Sequence, residues 1–79
     1  MNRNEVLNKI QELVREILDD EEIELSEKTM ASDIDGWDSL MHITIISAIE
    51  DEFNVKFAMR DIMNMKNVGA MIDLILSKS

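Results

Sequence analysis

The segment from Asp38 to about Glu52 constrains the fold more than any other part of this chain, because its apolar side chains point in most directions around a helix. The apolar positions are Leu40, Ile43, Ile45, Ile46, Ala48, Ile49 and the following Phe53, and the clearly polar row is Thr44, Ser47 and Asp51. A helix of this kind needs cover from several neighbours. The segment therefore predicts a helical bundle with this helix in its middle.

A second, amphipathic helix is predicted near the start of the chain. At 100° per residue its apolar side chains fall within an arc of about 140°, and they are Val6, Leu7, Ile10, Leu13, Val14, Ile17 and Leu18. The acidic run 19–22 follows directly. Because the carboxyl end of a helix is itself electronegative, we expect the helix to end near this run.

The remaining segments complete the bundle. Asn67 is a suitable N-cap for a final helix that reaches about Ser77, and the range 58–67 has room for one or two turns. The range 23–37 loses the helical period and predicts a long connection, pinned to the bundle by Leu25, Met30 and Ile34. The chain has no proline, two glycines and 4% aromatic residues, a composition that favours helices over strands.

These patterns together predict an all-α fold. We expect an irregular four-helix bundle with three longer helices, one short helix and a long first loop, in a single domain of residues 1–79.

Composition and charge exclude several classes of function. Seventeen acidic and eight basic residues give a net charge of −9, which repels nucleic acid and anionic lipid and favours basic surfaces of partner proteins. With no cysteine and one histidine, the chain offers no disulfide and no recognisable zinc or haem constellation. No apolar run approaches the roughly 18 residues of a membrane span, and the first residues lack the apolar stretch of a signal peptide. We therefore expect a cytoplasmic protein without membrane insertion.

The stretch "DIDGWDSLMHI", residues 33–43, concentrates the residues that could carry chemistry. A nucleophilic role for Ser39 needs a base and an orienting acid brought from elsewhere in the fold. The one histidine, His42, lies three positions on in the same predicted helix, and 79 residues leave no room for a deep cleft. We therefore do not expect an enzyme.

A calcium loop is the second hypothesis for this stretch, because acidic residues cluster around Gly36. With Gly36 at the sixth position of an EF-hand loop, Asp33 and Asp35 take the third and fifth positions. However, Ala31 and His42 then take the first and last positions, which require oxygen ligands. The register fails, and no metal site is predicted.

Helix capping is the plainest role for Ser39, and a serine N-cap contributes about 1 kcal/mol. Asp38 beside it caps equally well, which would leave the serine hydroxyl free. The start of a helix favours an anion, because unpaired N–H groups and the helix dipole both point there. A phosphate ester on Ser39 would thus be electrostatically favourable.

Two stretches of the sequence resemble a known protein family. "GWDSLMHITIISAIEDEF" followed by "MKNVGAMIDLI" is similar to an acyl or peptidyl carrier protein, and the resemblance runs from about Ile34 to Ile75. In that family an Asp-Ser-Leu triplet at the start of the second helix carries a 4′-phosphopantetheine arm on the serine oxygen. The corresponding triplet here is Asp38, Ser39 and Leu40.

The resemblance implies a carrier that catalyses nothing itself. A phosphopantetheinyl transferase using coenzyme A and magnesium would load the arm onto Ser39, and the arm's thiol would hold acyl or aminoacyl groups as thioesters. The partners would be acyl-activating, acyl-transferring or synthase enzymes with basic docking surfaces, and the carrier itself would be a monomer. Asp38 would help to position the serine, and Leu40 would pack at the helix start or contact the loading enzyme.

The chain departs from carriers of bacterial fatty-acid synthesis on the face where those proteins are usually acidic. Met41 and Thr44 stand where carboxylates are expected, while Asp51 is acidic, and basic residues follow Phe53 at Lys56, Arg60 and Lys66. We therefore do not expect the usual fatty-acid enzymes to be the main partners, and the "GWDSL" form resembles stand-alone carriers of specialised or saccharide-linked acylation pathways.

Several neighbours of Ser39 have two interpretations each. We expect Trp37 to anchor the loop against the bundle, His42 to be a solvated helix residue, and Met59, Met63 and Met65 to fill the core. The alternatives are partner contacts at Trp37, Met41, His42, Thr44 and Asp51, and an acyl cavity lined by the methionines. The rival to a carrier is a small acidic helical interaction module, in which Ser39 is only an N-cap.

Overall fold

Short polar side chains set the starts of the three long helices in the computed structural model, which describes residues 1–78. The helix α1, Arg3–Ile17, is capped by Asn2, whose Oδ1 accepts the Glu5 N–H at 2.9 Å while Glu5 Oε1 accepts the Asn2 N–H at 3.2 Å. Asp38 caps α2, Ser39–Phe53. Asn67 Oδ1 accepts the Ala70 N–H at 2.9 Å at the start of α4, Val68–Lys78.

A fourth, short helix completes the fold. It is α3, Met59–Met63, and it follows α2 after the left-handed residue Asn54. The Asp61 carboxylate accepts the Ala58 N–H at 3.0 Å and lies 3.5 Å from the Lys78 ammonium. The Ala58 N–H is the main cause that lowers the pKa of Asp61. In residues 1–78 the structure thus has three long helices, one short helix and no strand, which confirms the predicted all-α fold.

The core lies between α1, α2 and α4, with two loop segments closing it. Its buried side chains are Val6, Ile10, Val14, Ile23, Leu25, Trp37, Ile45, Ile46, Ile49, Val68, Met71, Ile72 and Ile75. The first helix packs against both α2 and α4. On α2, by contrast, Leu40 is 73% exposed and Ile43 is 61% exposed. The prediction that neighbours cover most of α2 is therefore wrong at its first turn.

The long connection between α1 and α2 is held by hydrogen bonds as well as by apolar contacts. Its Leu25 N–H donates to Gln11 Oε1 at 2.8 Å, and the Arg15 guanidinium donates to the Ile23 carbonyl at 2.6 Å. A single 3₁₀ turn, Ala31–Asp33, interrupts it. Leu25 is buried and Ile34 packs partly against the core, but Met30 is 46% exposed. The prediction that Met30 pins the loop is wrong.

None of the helices in the described part of the chain is both long and apolar enough to cross a membrane.

Candidate functional site

Ser39 lies at the first position of α2, and its neighbour performs the capping. Asp38 Oδ1 accepts the Met41 N–H at 2.8 Å, and the Asp38 carbonyl accepts the His42 N–H at 2.8 Å. The Ser39 side chain is exposed, and its hydroxyl has no hydrogen-bond partner among residues 1–78. The sequence left open whether Asp38 or Ser39 caps the helix, and the structure assigns the cap to Asp38. A free hydroxyl therefore lies at the electropositive end of a 15-residue helix.

An open groove of about 490 Å³ lies beside this hydroxyl. One wall is the start of α2, with Asp38, Ser39 and His42, and the facing wall comes from α3 and the segment after it, with Ile62, Met63 and Met65. Trp37 and the 3₁₀ turn close the remaining side. The groove is mixed in character, since its lining combines an aspartate and two serines with apolar and methionine residues.

Trp37 and His42 form a pair within this groove. The Trp37 side chain is 6% exposed, and its Nε1–H donates to His42 Nδ1 at 3.0 Å. The two rings stack, with centroids 6.1 Å apart and planes inclined by 29°. Burial lowers the pKa of His42 below its usual 6.5. The prediction that His42 is a solvated helix residue is wrong, and so little of Trp37 is exposed that it offers almost no surface to a partner.

Four large apolar side chains are exposed on α2 and α3, the two helices that contribute walls to the groove, and we call them the rim side chains. Leu40, Ile43, Met59 and Met63 are 73%, 61%, 72% and 77% exposed. The expectation that Leu40 packs at the helix start is therefore wrong, and so is the prediction that Met59 and Met63 fill the core. Met65 alone of the three methionines packs against the core, and it is partly buried there.

The other predicted partner contacts divide between the two halves of α2. Met41 is half-buried and Thr44 is exposed, with the Thr44 hydroxyl donating to the Leu40 carbonyl at 3.3 Å. Asp51 is exposed at the far end of the helix, next to Glu52. The exposed side of α2 is thus uncharged near Ser39 and acidic near its carboxyl end.

The described residues hold no cluster of three or more histidine or carboxylate side chains arranged for a metal ion. The carboxylate of Asp33, one candidate calcium ligand, instead accepts the Met30 N–H at 2.9 Å.

Two features of the site were missed from the sequence. Ser32 and Ile62 line the groove, although neither belongs to a recognisable motif. The bond from Trp37 to His42 was also missed, because it depends on how the loop turns into α2. One signal was available: His42 follows Ser39 by three residues, and residues three apart share one side of a helix. This spacing could have placed His42 beside Ser39 in the site.

A match to one protein family shows which class of protein has this site. Residues 8–75 match the family model described as a phosphopantetheine attachment site. The fold and this match define a phosphopantetheine-bearing carrier domain.

Relatives along the whole chain narrow the class. An acyl carrier protein of Thermosynechococcus vestitus is 33% identical over 79 residues, which cover 99% of this chain and 96% of that protein. An acyl carrier protein of Cyanidium caldarium is 32% identical, with 99% and 91% covered. The chain therefore belongs to the acyl carrier protein family.

Solved structures support the same assignment. The solution structure of holo acyl carrier protein from Geobacter metallireducens superposes with a TM-score of 0.86 at 38% identity, covering 92% of this chain and 84% of that one. Acyl carrier protein from Enterococcus faecalis gives 0.76 at 29% identity, with both chains fully covered at 100%. As a member of this family the chain is a carrier rather than an enzyme, it bears a covalently bound phosphopantetheine, and it interacts with biosynthetic enzymes.

Proposed function

We propose that Ser39 is the attachment residue for 4′-phosphopantetheine and that the loaded chain carries acyl or aminoacyl groups between enzymes. The observation that carries this proposal is the exposed Ser39 hydroxyl, which has no partner among the described residues and lies at the helix start beside an open groove. The bound arm supplies a terminal thiol, on which an acyl group is held as a thioester. A cytoplasmic location belongs to the same proposal.

The neighbours of Ser39 suit attachment of a phosphodiester. Asp38 takes the capping role, so loading the serine does not remove the cap of α2. The N–H groups of the first helical turn and the helix dipole favour the negative charge that attachment adds. Leu40, at 73% exposure, is available for contact with the loading transferase.

The surface around the site also indicates which kind of enzyme surface could bind it. Near Ser39 the exposed side of α2 is apolar and uncharged, with Leu40, Ile43 and Thr44, and its acidic residues Asp51 and Glu52 lie further along. We infer that partner enzymes meet the first turns through an apolar surface and the far end through basic side chains. Such a surface suits a specialised lipid, polyketide, peptide or saccharide acylation pathway better than fatty-acid synthesis.

Attachment is tested by incubating the chain with coenzyme A, magnesium and a broad-specificity phosphopantetheinyl transferase and then measuring the intact mass. We expect one adduct on the wild type and none on Ser39→Ala. The matched control is Ser47→Ala, an exposed serine on the same helix that should load like the wild type. If the wild type gains no adduct, or Ser39→Ala gains the same one, the proposal is wrong and a helical interaction module becomes the better interpretation.

The choice of partner is tested by restoring acidic residues. The double substitution of Met41→Glu and Thr44→Glu should raise the rate at which a fatty-acid synthesis enzyme acylates the loaded carrier, because it returns carboxylates to the first turns. Equal or lower rates would contradict the inference about partners while leaving attachment at Ser39 intact.

A further inference from the structure

The bond between Trp37 and His42 determines where the imidazole carries its proton. An indole N–H is a donor only, so His42 Nδ1, 3.0 Å away, must act as the acceptor. A neutral imidazole that accepts at Nδ1 has its single proton on Nε2. The burial that lowers the pKa of His42 favours this neutral ring. Trp37 thus holds His42 as a hydrogen-bond donor through Nε2.

His42 lies on the side of α2 that carries Ser39. Residues three apart on a helix have Cβ atoms about 5 to 6 Å apart, and Ser39 and His42 line the same groove. Stacking on the buried Trp37 ring fixes the plane of the imidazole. The His42 ring is therefore held in the same groove as Ser39, whose oxygen carries the arm under the proposed function.

Few other groups in this groove can meet a negative charge. Asp38, whose carboxylate caps α2, is among the residues that line it, and no lysine or arginine is. Lys66 lines a smaller, separate hollow together with His42. A phosphodiester on Ser39 would thus rely on hydrogen-bond donors to offset repulsion from Asp38.

We propose that His42, held by Trp37 as the Nε2–H tautomer, donates a hydrogen bond to the phosphodiester that joins the arm to Ser39. The proposal rests on the proposed function. His42 binds the phosphate directly, and Trp37 is a positioning residue that acts through it. This contact orients the first atoms of the arm toward the groove rather than into solvent.

The test is the ³¹P resonance of the loaded carrier followed against pH. Between about pH 5 and 8 histidine is the side chain expected to change its charge, and His42 is the one histidine of the chain. Protonation of a donor bonded to the phosphate should therefore produce a step in the ³¹P shift, at the midpoint that ¹⁵N spectra of the imidazole give for His42. The unloaded chain should titrate at a lower midpoint, because the phosphodiester stabilises the imidazolium.

Two variants separate this contact from a purely structural pair. His42→Gln should fold and load, as circular dichroism and intact mass will show, but its ³¹P step should disappear. Trp37→Phe keeps an aromatic ring and removes the donor, so its ¹⁵N spectrum should shift from the Nε2–H tautomer toward a mixture of tautomers.

The outcomes are distinct. A loaded wild type without a step at the His42 midpoint, or His42→Gln with an unchanged step, overturns the hydrogen bond while leaving attachment intact. A Trp37→Phe chain that retains only the Nε2–H tautomer overturns the positioning role of Trp37. Failure of the wild type to gain any adduct overturns the proposed function and this inference together.

Discussion

Two regions of the molecule differ in whether their polar groups are bonded and whether their large apolar side chains are exposed. In the first, which we call the tied region, Arg3 binds both Glu27 and Asp73, and the N–H groups of Val68 and Gly69 donate to loop carbonyls at 2.9 and 2.8 Å. In the second, the open region formed by Ser39, its groove and the rim side chains, the serine hydroxyl has no partner within residues 1–78 and four large apolar side chains are exposed.

The tied region stabilises the fold, whereas the open region leaves Ser39 accessible. The tied region uses its polar groups to join α1, the loop and α4, and so fixes the frame. The open region leaves Leu40, Ile43 and Met63 in water although each would be more stable when buried. Grouped exposed apolar side chains are typical of surfaces that meet partners. A carrier whose arm is on Ser39, as proposed, needs both regions, because enzymes must reach that serine without unfolding the bundle.

The largest expected contrast is between a buried and a rim side chain. Ile72, with no exposed surface, should cost about 2 to 5 kcal/mol of unfolding free energy when changed to alanine. Met63→Ala should stay within about 0.5 kcal/mol, because the Met63 side chain is 77% exposed. Urea denaturation followed by circular dichroism measures both. A comparable loss at Met63 would show that the rim belongs to the core.

A smaller effect is expected in the tied region from Gly69→Ala. An added Cβ would lie 3.0 Å from the Glu27 carbonyl oxygen, which also accepts the Gly69 N–H at 2.8 Å. Alanine gains about 1 kcal/mol over glycine in a helix, but the oxygen must move away and weaken that bond. Overpacking costs about 1 to 3 kcal/mol, so we expect net destabilisation of about 1 kcal/mol in the same urea measurement. A stabilised variant would mean that the loop is not held tightly against α4.

The features of these two regions that could be predicted from the sequence are those that depend on residues close together in the chain. The starts of α2 and α4 were predicted because Asp38 and Asn67 cap within three residues of themselves. The uncovered first turn of α2 was not, since burial depends on where other segments pass. A continuous apolar pattern shows that a helix can be buried and does not show which side remains bare.

At the site, too, the features set by neighbouring residues could be predicted and those set by distant segments could not. Ser39 was singled out from its position next to a second capping residue, and the structure leaves its hydroxyl exposed. The exposure of Met59 and Met63 was missed, because α3 has five residues and too little pattern to show an inward side. Trp37 and His42 were treated as separate residues, although the turn into α2 brings them together.

Removing the cap of α2 tests which of two neighbouring residues in the open region stabilises the start of that helix. Asp38→Ala should cost about 1 kcal/mol, because Asp38 Oδ1 accepts the Met41 N–H at 2.8 Å. Ser39→Ala should cost clearly less, since the Ser39 hydroxyl has no partner in the described structure. Thermal unfolding of both variants measures the difference. A larger loss for Ser39→Ala would assign the cap to the serine and weaken the case for a free attachment point.

The smallest expected effect is a pH dependence that belongs to the open region alone. Burial lowers the pKa of His42 from its usual 6.5, so the unfolded chain takes up this proton more readily than the folded one. Stability therefore falls as the pH drops through 6.5, and full stability is present above it. Protonation also removes the acceptor of the Trp37 N–H, since both imidazole nitrogens then carry protons.

The tied region should not contribute in that range. The bond from Arg3 lowers the pKa of Glu27 from its usual 4.5, so this carboxylate adds stability above that pH and loses it only at more acidic values. Urea unfolding at about pH 7.5 and 5.5 measures the contribution of His42 alone, because carboxylates of this kind stay ionised across that interval. The wild type should lose more stability across this interval than His42→Gln, whose amide oxygen can accept the Trp37 N–H at either pH. Equal losses would mean that His42 is solvated in solution and that its bond to Trp37 does not stabilise the fold.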